Sequence, residues 1–399
     1  MSTPCFDPDD LDLSTRLIRA GQLRSQHMET SEAIYMNSGF VYATAEEAEA
    51  AFDGSKPRFV YSRVGNPTVK MFEDRLAAAE GAKVCHATAS GMAAVYAAIM
   101  GQLKGNDRIV AASALFSSCR WILGDLLPRF GVSVEFVEGT DLAAWEAALC
   151  QPTTVVLLET PTNPTMDIVD IAGVAALAHK AGAKVIVDNV FATPLLQRPF
   201  ELGADIVVYS ATKHIDGQGR CLGGAILCND QTWADETHGI FLRHTGPAMS
   251  AFNAWTLLKG LETLELRVQR SCATAQALAE YLESRAEIGR VLYPGLASHP
   301  QHDLAMRQMS GCGGPMLGFT VNGGKDAVFR MMNRMKIVDI SNNLGDARSL
   351  IAHPATSTHQ SRPEAERLAT GITAELVRLS VGLESAKDLI ADFAQALDA

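Results

Sequence analysis

The sequence predicts an α/β protein, with a large domain built on a mostly parallel sheet with helices on both faces, followed by a smaller α+β C-terminal domain. Three observations predict it. Six short β-branched runs, RIVAAS (108–113), SVEFVE (133–138), TVVLLE (154–159), KVIVDN (184–189), DIVVYS (205–210) and GAILCN (224–229), alternate with amphipathic helical stretches. The runs are apolar along their whole length, as strands covered on both faces are. Beyond about residue 250 the alternation gives way to long helical stretches with isolated strands.

Residues 1–60 are polar in places and end in the turn-rich DGSKPRF. They predict an arm with little core of its own and some helix near the Ala/Glu run at 44–52. Residues 61–257 form the predicted large domain and 258–399 the C-terminal one. Ser250 to Ala286 contains no Pro and many good helix formers, so one long helical stretch is expected to link the two lobes. GFTVNG (318–323) and LVRLSV (376–381) read as strands, and Ser361 with Glu364 reads as a capping box. There is no internal repeat.

Composition narrows the class of function. A chain of 399 residues, 47% hydrophobic, buries a sizeable core. Its formal charge of -11 and scattered Lys and Arg repel a phosphate backbone, so no nucleic-acid partner is expected. No apolar run approaches the ~20 residues of a membrane helix, and the start is acidic where a signal peptide is basic; the expectation is a cytoplasmic protein with no membrane partner. Eight cysteines, at 5, 85, 119, 150, 221, 228, 272 and 312, include no CxxC pair and read as reduced, small hydrophobes. His299 with His302 and His353 with His359 lack an acidic or cysteine cluster, so no metal is expected. GCGGP (311–315) lacks the ending of a P-loop, and GQGRCLG has the wrong spacing for a dinucleotide fingerprint.

Three segments carry chemistry. In VVYSATKHIDGQGR, Lys213 stands just past an apolar strand among Ser210, Thr212 and several glycines, whose hydroxyls and amides suit an anion. Taken alone, Lys213 reads more readily as an ordinary surface residue. In KVIVDNVFATP, Asp188 closes a buried strand, where a carboxylate needs a partner; that partner is a cation of the fold or the ring nitrogen of a cofactor. In HATASGMAAVYAAIM, a loop enters a helix at Ser90 to Ala93, and the free amides of such a start form an anion site, although many helices begin this way and bind nothing.

These segments resemble the Cys/Met-metabolism group of fold-type I enzymes dependent on pyridoxal 5'-phosphate (PLP). The resemblance runs in order through YSRVGNPT (61–68), ATASGMAA (87–94), ETPTNPTM (159–166), VDNVFATP (187–194), YSATKHIDGQG (209–219), LGDARSLIAHPATSTH (344–359) and LVRLSVGLE (376–384). It implies Lys213 as the Schiff-base lysine, Asp188 as the partner of the pyridine nitrogen, and Ser210, Thr212, Gly91 and Met92 at the phosphate. It further implies Asn163 near the phenolic oxygen, Phe116 stacked on the ring, and Arg378 as the clamp of the substrate carboxylate with Asn343 beside it. Tyr61 and Arg63 match residues that reach the phosphate of the neighbouring subunit, so the arm contributes to that subunit and a homo-oligomer is implied, a tetramer built as a dimer of dimers.

Two positions separate activities within the group. Its lyases carry tyrosine where this chain has Phe116 and serine where it has Asn343. Phe116 stacks but has no hydroxyl to act as an acid. Asn343 looks like the sulfhydrylases, and the GQGRCLGG loop (217–224) looks most like those that act on O-succinylhomoserine. The expected reaction is therefore γ-replacement on O-succinyl-L-homoserine by sulfide, giving homocysteine for methionine biosynthesis. An O-acetylhomoserine sulfhydrylase, a cystathionine γ-synthase, a γ-lyase and a non-catalytic PLP-binding module remain as alternatives. Arg220 and Arg243 are the arginines expected to meet the succinyl carboxylate, each with a surface role as its alternative.

Overall fold

The computed structural model describes residues 7–398, which leaves Cys5 outside the described residues. Seven strands form one sheet: β1 (Val84–Thr88), β2 (Arg108–Ala112), β3 (Ser133–Val137), β4 (Val155–Glu159), β5 (Lys184–Asp188), β6 (Ile206–Tyr209) and β7 (Gly224–Cys228). Five more form a second: β8 (Ile288–Leu292), β9 (Met316–Val321), β10 (Asp339–Ile340), β11 (Leu350–Ala352) and β12 (Leu376–Ser380). The large sheet has the order β1-β7-β6-β5-β4-β2-β3. All six predicted runs are strands in it. The chain divides into two compact units, one of residues up to 102 with 208–212 and 220–262, the other of 103–207 with 213–219 and 263 onward.

In the first unit, β1 pairs antiparallel with β7, from Val84 opposite Cys228 to Thr88 opposite Gly224. Helices Pro67–Glu80, Gly91–Met100 and Ala251–Leu261 belong to the same unit. The early chain is tied down by charge: Arg75, fully buried, donates to Glu32 at 2.7 Å, and Lys259 reaches the same carboxylate at 2.5 Å. A buried ion pair is tolerable only when each charge is paired in this way. The predicted helix near 44–52 is present as Ala45–Phe52, with Thr44 capping Glu47 N.

In the second unit, β3, β2, β4 and β5 run parallel. Every residue of β4 is buried, as a strand covered on both faces requires. The smaller sheet, in order β10-β11-β12-β9-β8, is antiparallel apart from β10 beside β11. Its core includes Leu278, Phe319 and Phe393, the two rings meeting edge to face at 5.9 Å.

Two expectations need correction. The stretch from Ser250 to Ala286 is two helices, Ala251–Leu261 and Leu264–Glu283. Between them Glu262 turns its carboxylate to Lys259 and Arg75, and Thr263 accepts from Arg267 Nε at 3.1 Å, side-chain bonds that compensate for the interrupted helical ladder. The capping box at Ser361 and Glu364 does not form. Pro363 occupies the cap position of Glu364–Ala369, and no side chain caps that helix. The described cysteines are free thiols, and no described helix is long and apolar enough to cross a membrane.

Candidate active site

The second unit gathers six of the residues singled out from the sequence. Lys213 follows β6 in a tight turn whose carbonyls are held from outside: Arg267 donates from Nη1 to His214 O at 2.7 Å and from Nη2 to Ile215 O at 3.2 Å. The chain passes so close at Gly345 (φ +74°) that a Cβ there would lie 2.6 Å from His214 N and 2.8 Å from Lys213 C, which leaves glycine as the residue that fits. Lys213 Nζ donates to Asn343 Oδ1 at 2.6 Å. Asn343 O and Asn342 O accept from Arg378 Nη2 at 3.2 and 2.9 Å, and Arg378 Nη1 donates to Asn163 Oδ1 at 3.2 Å. Lys213, Asn343, Arg378 and Asn163 therefore form one chain of hydrogen bonds.

Arg378 reaches this position from β12, where it pairs with Gly318 and Ala352, and only 2% of it is exposed. Its Nε is buried with no partner, a donor left over for an incoming acceptor. At the ends of β4 and β5, Glu159 and Asp188 stand side by side in register. The Glu159 carboxylate accepts from Phe116 N at 2.8 Å and fixes the residue that opens the helix Ser117–Trp121. Asp188 accepts from Val190 N at 3.1 Å, and no basic side chain bonds it among the described residues.

The electrostatics suit reaction with a carbonyl compound. Burial, aided by the nearby Arg378 charge, pushes the Lys213 amine down to about 8, so a useful fraction is a free nucleophile near neutral pH. Burial lifts Asp188 to about 6 and lifts Glu159 further, since it also faces Asp188. Burial also draws Arg378 down to about 10, a shift the Glu159 charge opposes.

The first unit holds the remaining residues. Ser90 caps the helix Gly91–Met100 by accepting from Ala93 N at 3.2 Å. Ser210 lies against the first turn of that helix: a Cβ on Gly91 would come within 2.5 Å of the Ser210 Cβ, so the turn presents bare amides beside a hydroxyl. Thr212 Oγ1 accepts from Gly223 N at 3.0 Å and donates to Gly223 O at 3.2 Å. Tyr61 and Arg63 are exposed, the guanidinium lying over the ring at 5.5 Å from its centroid. Arg63 also donates to Arg243 O, while Arg220 and Arg243 are exposed.

Within the second unit, Lys213 can condense with an aldehyde and Asp188 lacks the cation that a ring N–H supplies; within the first, the bare amides beside Ser210 suit an anion such as a phosphate. Glu159 was not singled out from the sequence. Its signal, an acid closing a wholly apolar strand, is the one that marked Asp188.

The family pattern of Cys/Met metabolism PLP-dependent enzymes matches residues 14–398. The chain belongs to that family. An O-succinylhomoserine sulfhydrylase of Mycobacterium tuberculosis is 54% identical over 399 residues, covering 99% of this chain and 98% of that protein. One of Pseudomonas aeruginosa is 47% identical over 386 residues, covering 96% and 95%. A crystal structure titled putative O-acetylhomoserine (thiol)-lyase, from Campylobacter jejuni, superposes with a TM-score of 0.93 at 30% identity, covers 98% of this chain and 100% of that one, and carries N'-pyridoxyl-lysine-5'-monophosphate. This member of the Cys/Met-metabolism family is thus an α/β enzyme that uses pyridoxal 5'-phosphate.

Proposed function

We propose that this PLP enzyme replaces the succinyl ester of O-succinyl-L-homoserine with sulfide, releasing succinate and L-homocysteine. What carries the reading is the bond from Lys213 Nζ to Asn343 Oδ1, because it joins the proton-carrying amine to the loop whose carbonyls hold Arg378. The relatives at 54% and 47% identity, both O-succinylhomoserine sulfhydrylases, support the choice of acyl group. Phe116, which has no hydroxyl, supports replacement over lyase chemistry that uses one.

In this reading Lys213 would bind the cofactor through its aldehyde, Asp188 would hold the ring nitrogen, and Asn163 would serve the phenolic oxygen. Phe116 would stack on the ring, while Ser210, Thr212 and the amides of Gly91 and Met92 would hold the phosphate. Tyr61 and Arg63 reach the phosphate of a second copy, so the working unit is at least a dimer and the assembly a tetramer in the cytoplasm. When bound, the protonated ring supplies an electron sink. Arg378 fixes the substrate carboxylate and so sets which Cα bond lies near Lys213. Lys213, displaced as a free amine, takes the Cα proton and then moves the Cβ proton. The Cγ–O bond breaks with its electron pair leaving on succinate, and sulfide forms the new Cγ–S bond. Arg220 and Arg243 are the residues assigned to the distal succinyl carboxylate.

The test is to incubate the purified protein with succinyl- or acetylhomoserine, offer sulfide or cysteine, and identify the product by mass. Homocysteine from the succinyl ester and sulfide is expected. Cystathionine as the favoured product, 2-oxobutyrate formed without incorporation of sulfur, or a preference for the acetyl ester contradicts the proposal.

A further inference from the structure

We infer that Glu159 is the positioning residue of the cofactor ring, because its carboxyl fastens the main chain at Phe116 and stands in register beside Asp188. This rests on the proposed placement of Phe116, Asn163 and Asp188 around the ring. Glu159 accepts from the amide of Phe116 at 2.8 Å, and the main chain at Asn163 lies near enough to the same carboxyl to favour its charged form. Phe116 is assigned to the ring face and Asn163 to its phenolic oxygen. The parallel register of β4 and β5 places Glu159 directly beside Asp188, assigned to the ring nitrogen.

Glu159 is 5% exposed, and no basic side chain comes within ion-pair distance of it among the described residues; the Arg362 charge acts on it from farther away. A buried carboxyl without a bonded cation is costly, and the Phe116 amide offsets part of that cost. Burial first, and then the Asp188 charge, raise the Glu159 carboxyl well above its ordinary value, while Asp188 rises only to about 6.

The test compares holoenzymes of the parent chain, Glu159→Ala, Glu159→Gln and Asp392→Asn. Asp392 is a control: a buried carboxylate of the same unit that accepts from Lys336, Ile337 and Val338 amides in another part of the fold. The readouts are cofactor release on dialysis, the visible absorption of bound cofactor, and melting temperature. Glu159→Gln, which keeps one acceptor oxygen, is expected to release cofactor about threefold faster and Glu159→Ala about tenfold, at roughly one decade for the lost amide bond. Asp392→Asn should lower the melting temperature and leave release unchanged. Parent-like release and spectrum in folded Glu159→Gln overturn the inference, whatever the fate of the Ala variant. If the parent holds cofactor on Lys213 while Glu159→Gln behaves as the parent, this inference alone fails; if the parent holds none there, the underlying reading fails with it.

Discussion

Lys213 Nζ lies 2.6 Å from Asn343 Oδ1, and this bond is a neutral clamp on an amine that has to react. An amide oxygen orients Nζ without adding the negative charge that would favour the ammonium form. Asn343→Asp adds that charge. It is expected to raise the Lys213 value above about 8 and to shift the alkaline rise in cofactor attachment to higher pH. Attachment rates of the apoenzyme across pH measure this: in the parent they should climb through about 8, since the free amine reacts, and an unshifted profile in the variant counts against the clamp.

Arg378 is held at three acceptors, and its buried Nε is spare. Arg378→Lys keeps a charge but loses the planar fork, so KM for the amino-acid substrate should rise about a hundredfold, for the loss of roughly 3 kcal/mol of charge-assisted bonding. Steady-state kinetics check it, with melting temperature as the control for folding.

Gly345 sits at φ +74° with no room for a methyl group beside Lys213 and His214. Gly345→Ala should destabilise the chain by about 1–3 kcal/mol and lower cofactor occupancy, because the strain is relieved only by moving the Lys213 turn. Thermal melts and cofactor content measured on the same sample test this.

Glu32, Arg75 and Lys259 tie the early chain to the first unit. Burial alone would raise Glu32, but bonds from Lys259 and Arg75 overcome it and hold the carboxyl below its ordinary value of 4.5. Its contribution is therefore fully present above 4.5 and is lost as pH falls through the lower, folded value. Glu32→Gln should cost up to about 3–5 kcal/mol at neutral pH, because buried Arg75 then keeps only Glu262, 3.4 Å away, as a counter-charge. The loss in melting temperature should shrink in acid, where the parent loses the same interaction.

The strands and the lysine turn were legible because their signals are local: apolar runs, a carboxylate at a strand end, glycines around Lys213. What the sequence did not yield depends on distant partners. The break at Glu262 and Thr263 follows from side-chain bonds to Arg75, Lys259 and Arg267. The bond from Lys213 to Asn343 joins positions 130 residues apart. Glu159 carried the same strand-end signal as Asp188, but its use by Phe116, 43 residues away, needs the fold. The cap at Ser361 failed because Pro363 has its fixed φ at the helix entry.

The most direct measurement is borohydride reduction of the holoenzyme followed by peptide mass mapping. One phosphopyridoxyl group on Lys213 is predicted, absent in Lys213→Ala, which should fold, bind cofactor only loosely and lose nearly all turnover. A label on another lysine, no label, or substantial activity in Lys213→Ala would contradict the account.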